Sequence, residues 1–197
     1  ERLGGVRVVS NSLEPEGEKL YGLISSDPYP NSRGVRDMGL EYGPGKVSEL
    51  AESIINGRIK VLYVAGEDIF GFVPEEEHPR LREALSALDL LIVEDYKVTE
   101  TAKMAHVILP GASPYEKDGT FTNDTGRVQR IREAIAPPGI AKPDWEIISF
   151  IGSLVNPGGF NDYSHPSLVM KEISGTVPAY AKLSYENIGV LGGSAAS

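Results

Sequence analysis

The sequence predicts an α/β protein: a parallel, doubly wound (Rossmann-like) sheet domain with an irregular N-terminal arm and a C-terminal helical extension. Three observations carry that expectation. Residues 61–65 (VLYVA) read as a buried strand, and 90–93 (LLIV) are continuously apolar, as a parallel strand covered on both faces should be. The segments between and around them place apolar residues at helical spacing. The connections are short, so the order strand–helix–strand–helix–strand implies parallel strands joined by right-handed crossovers.

Up to about residue 45 there is little periodic signal, and Glu14-Pro15-Glu16-Gly17 and Asp27-Pro28-Tyr29-Pro30-Asn31 read as turns, so residues 1–45 are expected to form an extended arm. Residues 47–56 form an amphipathic helix stopped by Gly57. After the strand at 61–65, a helix over 79–88 sets Leu81, Ala84, Leu85 and Leu88 on one face. The strand at 90–93 follows. Thr99 then opens a short helix through Ala105, and residues 107–109 make a third strand ended by Pro110. These elements belong to an expected sheet domain over 46–155. Residues 115–140 are an excursion from it, rich at first in Gly, Thr, Asn and Asp, with 128–136 fitting either a short strand or a helix. Asp144 is expected to cap a helix to about Leu154 that turns Trp145, Ile148 and Ile151 to the core, and Asn156-Pro157-Gly158-Gly159 ends it. Residues 156–197 add a helix over 166–174 and a loose tail whose last six residues read as linker.

Bulk properties exclude several classes of function. The 197 residues, 41% hydrophobic and 24% charged, suit a soluble globular protein, and no apolar run approaches the roughly 18 residues of a membrane span. A net charge of −9 opposes non-specific nucleic-acid binding, which depends on Lys and Arg displacing counterions. With no cysteine there is no disulfide, thiolate nucleophile or usual iron–sulfur ligand, and the three histidines have no zinc spacing. The first residues lack the basic-then-apolar pattern of a targeting segment. No G-x-G-x-x-G follows any strand, as a free-standing dinucleotide-binding module would require.

Ligands on parallel sheets sit at the carboxyl ends of the strands. Gly66-Glu67-Asp68 lies at one such end, where glycine lets a ligand approach the backbone and a carboxylate can accept the donors of a guanine edge. The plain alternative is a turn with solvated acids. Glu94-Asp95 closes the next strand at the same edge. Thr99-Glu100-Thr101 begins the helix after it, where backbone N–H groups are suited to a phosphate and Thr99 is equally suited to be a simple N-cap. Lys117 and Glu116 are read as non-catalytic, and His78, His106 and His165 as structural or solvated.

Residues 94–130, EDYKVTETAKMAHVILPGASPYEKDGTFTNDTGRVQR, resemble a passage of the molybdopterin oxidoreductase family. Asn31-Ser32-Arg33-Gly34 with Asp37-Met38-Gly39, then Gly66-Glu67-Asp68, Pro143-Asp144-Trp145 and Val177-Pro178-Ala179-Tyr180 extend the resemblance over roughly 31–189. It implies that this edge descends from one touching the guanosine half of molybdopterin guanine dinucleotide, with Arg33, Gly66, Glu67, Asp68, Glu94, Asp95 and Thr99 as cofactor-binding candidates and no catalytic or metal-binding residue. It also implies that 115–140 packs along an iron–sulfur domain, so that without that neighbour Phe121, Val128 and Ile131 lose their burial. Family members that bind the cofactor commonly carry Gln at positions 33 and 94 and Pro at 69, where this protein has Arg33, Glu94 and Ile69. That drift favours a scaffold in the large iron–sulfur subunit of NADH-quinone oxidoreductase (complex I, NADH dehydrogenase I). The alternatives are the cofactor-binding domain of a molybdenum or tungsten formate dehydrogenase alpha subunit and a non-enzymatic nucleotide-binding or interaction module. On the first two readings the sequence is part of a larger redox subunit that carries iron–sulfur clusters. Its partners are then the rest of that polypeptide and other redox subunits, in the cytoplasm or peripheral to the inner face of the plasma membrane.

Overall fold

The computed structural model describes residues 7–9, 31–43, 47–123, 125–159 and 163–195, the side chains of 7–9, 32 and 41–43 excepted. In chain order the elements are β1 (Arg7–Val9), α1 (Ser32–Asp37), β2 (Glu41–Gly43), α2 (Val47–Ile55), β3 (Val61–Ala65), α3 (His78–Ser86), β4 (Leu90–Asp95), α4 (Glu100–Lys103), β5 (Val107–Pro110), β6 (Gly119–Thr122), β7 (Arg127–Ile131), α5 (Asp144–Val155), α6 (Pro166–Thr176) and β8 (Gly193–Ser194). They fall into two compact units: one gathers Gly45–Lys117 and Ala134–Asn161, the other Glu1–Pro44, Asp118–Glu133 and Asp162–Ser197. Among the described residues no helix is long and apolar enough to cross a membrane.

The first unit holds the expected parallel sheet, in the order β3-β4-β5. Its helices form for the reasons the sequence suggests. Val47, Leu50, Ala51 and Ile54 repeat at three- and four-residue spacing and are all buried. Gly57, at φ +70°, then turns the backbone out of α2 while its N–H bonds Ile54 O at 2.8 Å. From α3, Leu81, Ala84 and Leu85 are buried, and Leu88 beyond it is 4% exposed.

Three details differ from the sequence-based expectation. The outer strands are not covered on both faces: Val61 and Tyr63 of β3 and Val107 and Ile108 of β5 are exposed, whereas Leu91 and Val93 of the central β4 are fully buried. β4 runs two residues past its apolar stretch, because Glu94 and Asp95 pair in register with Leu109 and Pro110 of β5. On α5 no residue is fully buried and Ile148 is 45% exposed, so apolar spacing there does not mark a core face; Asp144 is the first helical residue and Pro143 the cap.

In the second unit β1 and β2 form a parallel pair, and β6-β7-β8 an antiparallel sheet. Within the stretch read as an irregular arm, the described residues therefore include α1 and this pair; the turn at 14–17 and positions 27–30 of the turn ending at Asn31 lie outside the described residues. Residues 127–131 resolve as strand, because they pair with 119–122 across the Asn123 turn, where Asn123 Oδ1 accepts the amides of Thr125 and Arg127. Against expectation Val128 is completely buried, in a core with Met170, Tyr180, Leu183, Tyr185 and Ile188; Phe121 and Ile131 are half-buried. Gly193 and Ser194 are not idle linker either. They pair with Val128 and Arg127, and a Cβ on Gly193 would come within 2.6 Å of Leu183.

Candidate functional site

The register of the parallel sheet brings three strand ends level, with Ala65 opposite Glu94 and Glu94 opposite Leu109. Gly66 continues β3 by donating its N–H to Glu94 O at 2.7 Å, then turns at φ +69°. Nothing lies within 4 Å of where its Cβ would be, so open space faces the backbone here.

The acids of this edge behave differently from one another. Glu67 is exposed, yet partial desolvation, followed by the charges of Asp95 and Asp68, raises its pKa above the usual range. Asp68 is committed to the protein. Its Oδ1 accepts Thr101 Oγ1 at 2.6 Å, Thr101 N at 3.2 Å and Phe70 N at 3.4 Å, and its Oδ2 accepts Glu100 N at 3.1 Å. Partial burial pushes its carboxyl up, but the Thr101 hydroxyl and these amides outweigh burial and hold it below its usual value. Asp95 is 8% exposed and its Oδ1 accepts Lys97 N at 2.9 Å. Glu94 points into the protein, 0% exposed.

Thr99 is the N-cap of α4, its Oγ1 accepting Ala102 N at 3.1 Å. The amides of Glu100, Thr101 and Ala102 are thus all taken by Asp68 and Thr99, which leaves none of the three for a phosphate. Arg33 lies in the other unit, on α1. Its Nε reaches Asp37 Oδ1 and Oδ2 at 2.9 and 3.0 Å, and Asp37 also accepts the Tyr180 hydroxyl at 3.0 Å. That hydroxyl lies 2.9 Å from Thr122 Oγ1, and Asn31 Oδ1 accepts Thr122 N at 2.8 Å. Three of the resemblance-bearing motifs therefore meet in this unit as a structural polar cluster.

For a guanine dinucleotide the donor and acceptor set fits one end only. Gly66, Glu67 and Asp95 offer open backbone and acceptors that suit guanine N–H groups, whereas the turn that would take a pyrophosphate is filled by the protein's own side chains. Among the described residues no group of three His, Cys, Asp or Glu is arranged to hold a metal ion. Three residues beside Glu94 were not foreseen as site residues: Tyr63, Lys117 and Asp144. Only the position of Tyr63 on the neighbouring strand was a signal for them.

Comparison with known proteins agrees with this architecture. A family profile described as Molybdopterin oxidoreductase matches residues 8–153. A protein of Staphylococcus haemolyticus named for formate dehydrogenase is 41% identical over 185 residues, 94% of this chain and 17% of its own length. The F420-dependent formate dehydrogenase 1 subunit alpha of Methanococcus maripaludis is 42% identical over 135 residues, 68% of this chain and 20% of its own. The chain thus spans about a fifth of the length of these relatives. Acetylene hydratase from Pelobacter acetylenicus superposes with a TM-score of 0.59 at 14% identity, over 72% of this chain and 19% of that one, a likeness of fold. A parallel sheet with acids gathered at its carboxyl edge, and a profile that runs through nearly all of it, place this chain in the molybdopterin oxidoreductase family.

Proposed function

We propose that this chain is part of the catalytic subunit of a formate-dehydrogenase-type enzyme and contributes one wall of its molybdopterin guanine dinucleotide site, receiving the guanine end at the carboxyl edge of β3 and β4. The observation that carries the reading is the open backbone at Gly66 beside the acceptors of Glu67 and Asp95. The identity near 40% to formate dehydrogenases supports it and moves the preference away from the large iron–sulfur subunit of NADH-quinone oxidoreductase. When bound, such a cofactor supplies the two-electron redox chemistry. The residues of this chain bind and orient: Gly66 admits the base to the backbone, while Glu67 and Asp95 accept its ring and exocyclic N–H donors. Iron–sulfur clusters and the redox metal belong, on this reading, to other parts of the parent polypeptide. The relative named as a subunit alpha supports partner subunits; on this reading those are other redox subunits, and the assembly lies in the cytoplasm or peripheral to the inner face of the membrane.

One observation favours the cofactor-free scaffold reading: Asp68 and Thr99 between them take the amides of Glu100, Thr101 and Ala102. Titrating guanosine and adenosine into the protein, followed by amide chemical shifts, separates the two. The cofactor reading expects saturable guanosine binding at about millimolar strength, near −4 kcal/mol, that moves Gly66 and Glu67 and disappears in Asp95→Ala. Equal, non-saturating responses to both nucleosides would leave the scaffold.

A further inference from the structure

Four side chains that the cofactor reading leaves unused converge beneath the sheet edge. Glu94 is fully buried at the end of β4. From β3 the Tyr63 hydroxyl donates to its Oε2. Its Oε1 is buried and meets no donor among the described residues. From the start of α5 Asp144 turns toward the same point, and it is itself paired with Lys117 from the connection after β5. The two carboxyls flank Gly111: a Cβ built there would lie 3.5 Å from Glu94 Cγ and 3.8 Å from Asp144 Oδ1.

Two carboxyl groups cannot hydrogen-bond while both are ionised, because each would then only accept. One lysine balances one of them. The Asp144 side chain is 38% exposed and touches the ammonium, whereas Glu94 is out of water and away from any cation of its own, so ionisation belongs to Asp144 and the proton to Glu94. We propose that Glu94 and Asp144 are a proton-binding site, a carboxylic acid donating to a carboxylate, which holds one proton at neutral pH and ties α5 to the end of β4. The orphaned Oε1 then has its role: protonated, it donates where no other donor could serve. Desolvation first, then the hydrogen bond to and the charge of Asp144, push the Glu94 pKa up to about 8, with Lys117 opposing and Asp95 adding to the shift. The charged and titratable groups facing Glu94 are Tyr63 from β3, Asp95 from β4, Lys117 and Asp144. Loss of the proton to solvent would leave two adjacent carboxylates sharing one lysine, and the junction of β4 with α5 would loosen. None of this depends on which ligand, if any, the sheet edge binds.

The test is carbon NMR of the whole chain with its glutamate carboxyl carbons labelled, titrated from acid through alkaline pH. One glutamate resonance should keep its protonated position at neutral pH and titrate near 8. It should be missing from Glu94→Gln. Asp144→Asn should lower its midpoint by removing the neighbouring charge, and Lys117→Met should raise it. The proposal is overturned if every glutamate titrates in the ordinary carboxylate range, if the high resonance survives Glu94→Gln, or if Asp144→Asn leaves its midpoint unmoved. The wild-type titration and the Asp144 and Lys117 variants, at partly exposed positions, decide the matter even if Glu94→Gln fails to fold.

Discussion

Replacing Asp68 by alanine should destabilise the sheet unit severely, although nothing apolar is removed. The carboxylate accepts from Phe70 N, Glu100 N, Thr101 N and Thr101 Oγ1, and Thr101 is 0% exposed. Loss of a helix-capping acceptor costs about 1 kcal/mol. Leaving the buried amide and hydroxyl proton of Thr101 without acceptors adds about 1–3 kcal/mol, since water cannot replace what is lost; the hydroxyl oxygen keeps only its bond from Ile69 N at 3.0 Å. The sum, about 2–4 kcal/mol, is a large share of the 5–15 kcal/mol that typically holds a domain together. Asp68→Asn, which keeps one acceptor oxygen, should lose roughly half as much. Urea unfolding followed by circular dichroism should show a lower midpoint at unchanged slope. Because the folded carboxyl is held below its usual value of 3.8, the advantage of wild type over Asp68→Asn is fully present above that pH and lost as pH falls through the lower folded value. An Asp68→Ala protein within about 0.5 kcal/mol of wild type would refute the structural role and return Asp68 to the candidates for ligand binding.

Glu94→Gln should gain stability over wild type as pH rises. A folded pKa near 8 against 4.5 unfolded gives a contribution fully present below 4.5 and lost through 8, on the order of a few kcal/mol, so parallel pH profiles would contradict the burial argument. Gly66→Val should cost about 1–2 kcal/mol, because a branched residue is strained at φ +69° whatever the free space beyond it; unchanged thermal unfolding would show that the turn relaxes. Trypsin should cut after the exposed Arg132 before Arg130, which pairs with Asp118 at 2.9 Å and lies 4.1 Å from the Tyr185 ring centroid; first cleavage at Arg130 would mean that β7 frays.

The parallel sheet was legible because it is written locally. Short apolar runs bounded by Gly, Pro and acids, with helical spacing between them, leave few topologies open, and Val61–Ala65 was located to the residue. The strand ends were harder. Glu94 and Asp95 lie beyond the apolar run that marks the strand in sequence, and pairing with Leu109 and Pro110 is what makes them part of it. Asp68 was read as a ligand-facing acid because its partners in α4 lie 32 and 33 positions away, and no local pattern announces a cap supplied from the turn after a neighbouring strand. On α5, apolar spacing predicted a core face that the unit does not bury, since periodicity says which residues share a face and not whether anything covers it. The buried Val128 reverses that error, with burial supplied by segments 40 to 60 residues further on, such as Met170 and Ile188.

The discontinuity of the second unit sets a timetable for the nascent polypeptide. All of Gly45–Lys117 and Ala134–Asn161 is synthesised before residue 162, so the sheet unit is complete in sequence, and can close, before the other. The other unit cannot. Its Tyr180 hydroxyl meets Asp37 across 143 positions, and β8 joins the edge of β7 only when Gly193 and Ser194 emerge. Until then α1 and the β6–β7 hairpin wait with Val128 uncovered, tethered at both ends of 118–133 to a neighbour whose segments are already complete. Vectorial synthesis thus imposes an order of assembly that equilibrium stability alone would not, and it leaves the second unit open to proteases and chaperones until residues 162–195 have emerged.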